Sequence, residues 1–288
     1  MDYLIHIAIY FTIFSITGMS LNLIVGYTGL FSITHASFYG IGAYTTALLL
    51  TRLGAGFLMS VALGVLATFV AALLAGAILS RFSGDYFAIV SLGFSTIVFA
   101  VLLNWQDLTR GGQGIFGVPR PSLFGCRPAS NPDFLMLSTA FFGAVFLICR
   151  FIVNSSFGRV LKAIREDEEA VRIFGYNTAY YKLAVFVTGS MMAAVAGSLY
   201  ASYIGYIDPS VSGVNESVFM FVIIILGGLG SLCGPLLGAL FLILLPEGLR
   251  YLGLPVIVSA KIQEFIYGTA LTALMLCRPQ GLAGKYKP

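Results

Sequence analysis

The sequence has little charge, few histidines and few cysteines, and these shortages exclude several functions. Charged residues make up 10% of the 288 positions, whereas 58% are hydrophobic. The two histidines and four cysteines show neither a metal-ligand spacing nor a nucleophile with a neighbouring base. The phosphate-binding pattern GxxxxGK[ST] is also missing. We therefore expect no metal centre, no catalytic set and no ATP site on this chain.

Long apolar runs are what the sequence does contain. Mean hydropathy is +0.94, and several runs of about 20 residues are long enough to cross a bilayer as helices. The predicted fold class is all-α, a polytopic transmembrane helical bundle with about eight or nine membrane segments that include broken helices. The first run is expected to be retained rather than cleaved as a signal. The net charge of +4 fits basic cytoplasmic loops, so no nucleic acid is expected as a partner.

The apolar runs place predicted spans at residues 4–26, 56–79, 86–103, 134–153, 183–204 and 262–276, with a further span ending near residue 50. Between residues 104 and 133, glycines and prolines forbid a spanning helix, which predicts a surface loop or a short re-entrant piece. Asp85 stands at the start of the fourth span, where a carboxylate is expected to cap the helix.

A glycine-rich turn, GYTGLFSITHASFYGIGAY from Gly26 to Tyr44, follows the first span. Backbone that leaves a helix at membrane depth must be buried in protein or line a wet cavity, because unpaired polar groups are costly in lipid. The turn is thus a candidate broken helix. Its polar and aromatic residues, with one at the end of the first span, are candidates either for a translocation path or for structural hydrogen bonds: Asn22, Ser32, Thr34, His35, Ser37, Tyr39 and Tyr44.

A second break is predicted in the apolar run 217–245, which is too long for one ordinary span and too short for two full ones. Small residues in its middle are predicted to form a hinge between two partial helices: Gly227, Gly228, Gly230, Ser231, Gly234 and Pro235. The sequence Pro246-Glu247-Gly248 is expected to end the second partial helix.

Charge is densest between Asn154 and Lys182, here called the charged segment. At 100° per residue its apolar residues gather on one side of a helix, namely Val160, Leu161, Ile164, Val171 and Phe174. Asp167 falls within that side, so either the helix breaks there or a contact surface has a polar centre. Gly175 fits the left-handed position past the end. The segment is either a solvated loop or a helix that docks a soluble partner, and the apolar stripe favours docking.

The distribution of basic residues predicts the orientation. The charged segment and the C-terminal tail are both rich in lysine and arginine, so both are expected to face the cytoplasm. The broken run must then contribute two crossings or none. The spans before the charged segment place the N-terminus and the 104–133 loop outside.

Four stretches carry a family signature: GYTGLFSITHASFYGIGAYT, GDYFAIVSLGFSTIV, FGRVLKAIREDEEAVRIFGYN and VIIILGGLGSLCGPLLGALFLILLPEGLR. Together and in this order they resemble the branched-chain amino acid ABC transporter permeases of the LivH/LivM type, most closely LivM. The resemblance covers nearly the whole chain. It implies a single permease domain over residues 1–288, with a cytoplasmic coupling loop at 154–182. Many LivM-like members are longer at the N-terminus, so one of their helices is expected to be absent here.

The resemblance also implies partners and a location. The partners are a second, LivH-like permease in a heterodimer, two cytoplasmic ATPase subunits, an extracellular or periplasmic solute-binding protein and the lipid of a bacterial or archaeal cytoplasmic membrane. No cofactor is expected on this chain, since ATP and Mg²⁺ would bind to the ATPase subunits. The family's ATPase-contacting loop maps onto Gly158, Arg159, Ala163, Ile164, Arg165, Glu166, Asp167, Glu168 and Glu169.

Import of branched-chain or other hydrophobic amino acids is the favoured function, and three alternatives stay open. Related permeases for urea or short amides share the architecture. An ion-coupled secondary transporter would place ionisable residues within its spans, whereas Asp85, Glu216, Glu247 and Glu264 lie near predicted span ends. An integral membrane enzyme would need a catalytic set that the sequence lacks.

Overall fold

The computed structural model describes residues 2–82, 84–121, 130–251, 261–262, 265–270, 272–273 and 281–283. Within these residues the chain is almost entirely helical. The helices are α1 (Asp2–Thr28), α2 (His35–Arg52), α3 (Phe57–Leu79), α4 (Asp85–Asn104), α5 (Gln106–Thr109), α6 (Asn131–Asn154), α7 (Ser156–Glu166), α8 (Glu168–Ile173), α9 (Thr178–Ile204), α10 (Val214–Gly227) and α11 (Gly234–Tyr251). Two short strands, β1 (Ile115–Phe116) and β2 (Tyr206–Ile207), pair antiparallel.

Five of the described helices are long and apolar enough to cross a membrane: α1, α3, α4, α6 and α9. Most of α11 and all of α10 are shorter apolar helices. The protein is therefore an all-α, multi-pass membrane protein, as predicted. The count of about eight or nine segments stays a prediction, because part of the predicted last span and most of the basic tail lie outside the described residues.

Small residues let the central helices pack closely around α9. Helix α2 lies along α9, while α1 and α3 pack on α9 from other sides. A Cβ atom added to Gly42 of α2 would lie 2.5 Å from the Ala194 carbonyl oxygen, and one on Gly197 of α9 would lie 2.0 Å from the Tyr39 carbonyl oxygen. Membrane helices built on glycine, alanine and serine pack at such short backbone distances, so these glycines fix the position of α2 against α9.

The prediction that Pro246-Glu247-Gly248 ends a helix is wrong, because α11 continues to Tyr251. Pro246 has no N–H group to donate to the carbonyl of Leu242, four residues earlier. The Tyr267 hydroxyl donates to that carbonyl instead, at 2.9 Å. This replacement donor lets the helix pass the proline without leaving the carbonyl unpaired in the membrane.

The 104–133 loop contains short elements that were not predicted from the sequence. Helix α5 and a 3₁₀ turn at Gly111–Gln113 precede β1, which pairs with β2 just after α9. At the end of α2, Arg52 Nη2 donates to the carbonyl oxygens of Asp107 at 2.6 Å and Leu108 at 2.9 Å. These contacts fasten the described part of the loop to α2 and α9; residues 122–129 lie outside it.

Candidate functional site

The charged segment folds as two short helices that meet at Asp167. Helix α7 starts after Ser155, whose hydroxyl accepts a hydrogen bond from the Gly158 N–H at 3.3 Å. Asp167 ends α7 and caps α8, because its Oδ1 accepts from the Ala170 N–H at 3.0 Å. Of the two alternatives left open at Asp167, the helix break is therefore the one that occurs. Gly175, past the end of α8, has a φ of +87°, as predicted.

The apolar side of this segment packs into the protein itself. Leu161 is 0% exposed, Ile164 is 4% exposed and Val171 is 8% exposed. Leu161 and Ile164 lie on α7, which packs against α1, α6 and α9, and Val171 lies on α8, which packs against α7 and α9. The prediction that this stripe presses on a soluble partner is therefore wrong for Leu161 and Ile164, whereas Val160, Val171 and Phe174 line a groove at the surface, where it stays a prediction. Phe174, the last residue of the stripe, is 81% exposed.

The opposite side of α7, with the start of α8, is solvent-exposed, and we call it the exposed face of α7. Its residues are Arg159, Lys162, Ala163, Glu166, Asp167 and Glu169. A groove of about 320 Å³ lies beside it, lined by residues that include Val160, Phe174, Tyr176 and Tyr181. Two residues that the resemblance mapped onto an ATPase-contacting loop, Gly158 and Ile164, are instead buried.

The side chain of Glu168 is hydrogen-bonded to other side chains of the protein rather than free in solvent. Its Oε1 accepts hydrogen bonds from Arg172 at 3.1 Å and Thr178 at 3.0 Å, and its Oε2 accepts from Lys182. Partial burial disfavours the carboxylate, but the hydrogen bonds and the two positive charges outweigh this and lower the pKa of Glu168. The Lys182 side chain is only 7% exposed. These contacts, here called the Glu168 clamp, hold α8 against the first turn of α9.

The lowered pKa makes the Glu168 clamp dependent on pH. Its stabilising effect should be complete above the ordinary glutamate pKa of about 4.3, and should be lost as the pH falls through the lower pKa of the folded state. Glu168→Gln should therefore be cleaved faster than wild type by protease in the charged segment at pH 7, and the two rates should converge in acid. Glu166→Gln, on the exposed face, is the control. Equal rates for Glu168→Gln and wild type at pH 7 would contradict the clamp.

The predicted break between two partial helices is present. Helix α10 ends at Gly227 and α11 begins at Gly234, and we call residues 228–233 the α10–α11 turn. A Cβ on Gly227 would lie 2.0 Å from the Gly234 carbonyl oxygen, and one on Gly238 would lie 1.9 Å from the Ile223 carbonyl oxygen. This register shows that the helices run antiparallel with their backbones almost touching. Within the turn, Gly228 has a φ of +113° and Gly230 one of +73°, which glycine adopts without strain.

Hydrogen bonds close the α10–α11 turn on both sides. The Ser231 hydroxyl accepts from the Gly234 N–H at 2.9 Å, at the start of α11. The last carbonyls of α10 accept from the backbone N–H groups of Leu282 at 3.0 Å and Ala283 at 2.9 Å. Pro235 lies against α1, where a Cβ on Gly18 would lie 3.1 Å from the proline Cβ.

Helix α1 and the charged segment both contact this turn. Asn22 of α1, one of the predicted path residues, donates from Nδ2 to the Ser231 carbonyl oxygen at 2.8 Å, and its Oδ1 accepts from the Gly230 N–H at 3.0 Å. Arg165 of α7 donates from Nη1 to the Gly26 carbonyl oxygen at the end of α1. No local sequence pattern signals these contacts, because each joins residues far apart in the chain.

The other predicted path residues are also buried in the chain. His35 is 1% exposed and lies 2.7 Å from the Ser20 hydroxyl, to which its Nε2 is hydrogen-bonded. The Ser37 hydroxyl donates to Ser95 of α4 at 3.1 Å. With their neighbours these groups form what we call the polar belt: Ser20, Ser32, Thr34, His35, Ser37, Ser91, Ser95 and Ser217. Tyr39 and Tyr44 are likewise buried.

The polar belt joins the starts of two broken helices. The Ser217 hydroxyl, in the first turn of α10, donates to the Ile33 carbonyl oxygen at 2.7 Å and accepts from the Ala36 N–H at 3.2 Å. The Ile33 N–H donates in turn to Ser91 of α4 at 2.9 Å. The irregular backbone before α2 is therefore paired inside the protein, as irregular backbone at membrane depth requires.

A cavity of about 460 Å³ lies beside the start of α10. It is lined by Thr96, Phe99, Ser210, Gly213, Val214, Asn215 and Glu216. None of these residues was predicted as a site from the sequence, because they come from α4, from the turn before α10 and from the first turn of α10, which carry no common motif. The cavity has the volume of a small-molecule site.

The comparisons with known proteins agree on one family. A family model described as the permease component of the branched-chain amino acid transport system matches residues 3–276. The high-affinity branched-chain amino acid transport system permease protein LivM of Escherichia coli strain K12 is 34% identical over 308 residues, which cover 99% of this chain and 71% of that protein. The Escherichia coli permease protein LivH is 27% identical over 295 residues, 94% of this chain and 91% of that protein.

An archaeal relative extends the likeness. The probable branched-chain amino acid transport permease protein LivM of Methanocaldococcus jannaschii is 25% identical over 325 residues, 98% of this chain and 93% of that protein. No solved structure matches the chain.

Proposed function

The chain belongs to the permease family of branched-chain amino acid transport systems, and from this premise we propose that it is one membrane subunit of an ATP-binding-cassette importer. A LivH-like permease would pair with it, and two ATPase subunits would bind on the cytoplasmic side. A binding protein would deliver the solute from outside a bacterial or archaeal cytoplasmic membrane. ATP and Mg²⁺ would bind to the ATPase subunits and not to this chain.

The observation that carries the proposal is the construction of α7. Its buried residues Leu161 and Ile164 pack against α1, α6 and α9, so the helix is attached to the membrane domain. Its exposed face carries positive and negative side chains beside a groove with apolar walls, and protein–protein interfaces combine an apolar core with a polar rim. We propose that the ATPase binds to this exposed face and to the groove beside it, rather than to the buried residues Leu161 and Ile164.

For the solute, we propose branched-chain or other hydrophobic amino acids. Such a molecule carries an apolar side chain and a carboxylate, and the N-terminal ends of helices favour negative charge. The cavity at the start of α10 has apolar side chains, Phe99 and Val214, beside the polar side chains of Asn215 and Ser210. The carboxylate of Glu216 also lines the cavity and would pair with the amino group of the solute. We propose that the translocation path passes this cavity and that the polar belt holds the starts of α2 and α10 beside it.

A substitution in the polar belt tests that division of roles. His35→Ala should lower the unfolding free energy by about 1–3 kcal/mol, because it removes the buried partner of Ser20. Solute preference should stay that of wild type. The measurements are thermal melting in detergent and competition between solutes for uptake. Thr96→Ala, in the cavity at the start of α10, should give the opposite result, namely wild-type stability with an altered solute preference. Unchanged stability with altered solute affinity in His35→Ala would instead place the polar belt in the path.

The proposed function is tested on the assembled complex. The chain, its LivH-like partner and the cognate ATPase subunits should hydrolyse ATP faster when the cognate binding protein carries leucine than when it is empty. Urea and acetamide are the comparison solutes. Stimulation by urea or acetamide and not by leucine would shift the solute to the amide class. If no ATPase subunit associates with the purified permease pair, the importer assignment is wrong.

A further inference from the structure

Arg165 differs from the charged residues on the exposed face of α7. It is half-buried, and its Nη1 donates to the Gly26 carbonyl oxygen in the last turn of α1. A Cβ added to Gly230 would lie 2.8 Å from the same Nη1, so the guanidinium also lies against the α10–α11 turn. One side chain of α7 thus contacts two membrane elements at once. Arg159, by contrast, donates to Ser156 on its own helix.

The end of α1 is suited to receive this cation. The last four carbonyls of a helix have no donor within the helix, and they form the negative end of its dipole. Val25 supplies its carbonyl to the Gly29 N–H at 3.0 Å, and Gly26 supplies its own to Arg165. Nearby, Lys162 Nζ lies 5.6 Å from the centroid of the Tyr27 ring. Two cations of α7 therefore hold the end of α1.

Asn22 extends the connection into the α10–α11 turn. Its side-chain amide bonds to the backbone on both sides of the peptide link between Gly230 and Ser231. Gly26 makes room for this, since a Cβ there would lie 2.0 Å from Asn22 Oδ1 and 2.7 Å from the Gly230 nitrogen. The end of α1, the turn and α7 consequently form one hydrogen-bonded junction, here called the Arg165 junction. A displacement of α7 must either move all three parts or break the Arg165 bond.

We propose that Arg165 is the positioning residue that passes movement of α7 to α1 and to the α10–α11 turn. The inference rests on the proposed function, because it assigns the movement of α7 to ATPase binding and hydrolysis. The exposed face of α7 holds the ATPase, and Arg165 connects that contact to the membrane helices. Loss of Arg165 should therefore separate ATP hydrolysis from solute movement while leaving the ATPase attached.

The test compares transport with hydrolysis in proteoliposomes that contain the whole complex. In Arg165→Gln, capture of the ATPase subunits and ATP hydrolysis should stay within about two-fold of wild type, whereas leucine uptake per ATP should fall about ten-fold. Arg165→Lys keeps the positive charge but loses the planar guanidinium group, so its leucine uptake per ATP should lie between that of wild type and that of Arg165→Gln. Asn22→Ala should show the same loss of leucine uptake per ATP as Arg165→Gln. The variant with both substitutions should transport as much leucine per ATP as the more impaired of the two single variants. Arg81→Gln, an exposed charge at the end of α3, is the matched control.

The possible results separate this inference from the proposed function. Normal uptake per ATP in Arg165→Gln would overturn the inference and leave the importer assignment intact. Parallel loss of ATPase capture and uptake would make Arg165 a docking residue, which also overturns it. If Arg165→Gln and Arg165→Lys both fail to accumulate in the membrane, the junction serves folding and the inference is wrong. Failure of the wild-type complex to capture ATPase subunits contradicts the proposed function instead.

Discussion

Gly227→Ala and Gly238→Ala should each prevent stable folding of the membrane domain. A Cβ at Gly227 would lie 2.0 Å from the Gly234 carbonyl oxygen, and one at Gly238 would lie 1.9 Å from the Ile223 carbonyl oxygen. Both obstructing atoms are backbone, so α10 and α11 would have to move apart along their whole contact. We expect a cost at the upper end for overpacking, about 3 kcal/mol, for each substitution. The measurement is the monodisperse fraction and the melting temperature in detergent.

Two glycines elsewhere in the chain provide the matched control. Gly93 of α4 and Gly143 of α6 have no heavy atom within 4 Å of an added Cβ, outside their own helices and immediate neighbours. Alanine at either position should keep or slightly raise the melting temperature, because alanine is the better helix former. A loss at Gly143 as large as that at Gly227 would mean that close contact between α10 and α11 is not the cause.

Charge reversal at Glu166 should impair ATPase stimulation, whereas charge reversal at Glu168 should impair stability. Glu166 is exposed, so Glu166→Lys should leave the protein folded and reduce ATPase stimulation by about ten-fold through repulsion at the docked surface. Glu168→Lys would remove the acceptor of Lys182 and place a second lysine beside it, within reach of Arg172. Glu168→Lys should therefore lose the clamp between α8 and α9, and its melting temperature should be lower than that of wild type whether or not an ATPase subunit is bound.

A charge swap separates the two effects. Glu168→Lys combined with Lys182→Glu restores an opposite-charge pair, and should recover part of the lost melting temperature. Stimulation by loaded binding protein is then measured in every variant that melts near wild type. Normal stimulation in Glu166→Lys would remove the exposed face of α7 from the proposed ATPase interface. A wild-type melting temperature in Glu168→Lys would contradict the clamp.

Local patterns predicted the parts of the fold that depend on neighbouring residues. The long apolar runs identified the spanning helices, and the glycines after Gly227 identified the break before α11. The helix break at Asp167 was one of two predicted alternatives, because this carboxylate falls within the apolar stripe; in the structure it caps the next helix. These predictions succeed because capping, chain reversal and lipid exposure are decided within a few residues.

The surface that covers the apolar side of α7 could not be predicted in this way. An apolar stripe that includes Leu161 and Ile164 requires burial, but the pattern does not say whether a partner or the chain itself supplies the surface. Here α1, α6 and α9 supply it. The same limit explains Pro246, since the helix survives through a hydroxyl from Tyr267, which belongs to another part of the chain.

Asn22 shows the limit most clearly. As a polar residue at the end of an apolar span, it was a reasonable candidate for the solute path. Its partners are Gly230 and Ser231, more than 200 residues later in the chain, and only the folded structure brings them together. The β1–β2 pair escaped prediction for the same reason, because strands of two residues gain their pairing from tertiary contact alone.

Accumulation of labelled leucine in proteoliposomes tests the central claim most directly. The vesicles contain this chain, its permease partner and the ATPase subunits, with MgATP on the side that carries α7 and loaded binding protein on the other. The account predicts transport of leucine toward the MgATP side that requires ATP hydrolysis and is unaffected when proton and sodium gradients are abolished. Accumulation driven by such a gradient without ATP would contradict it.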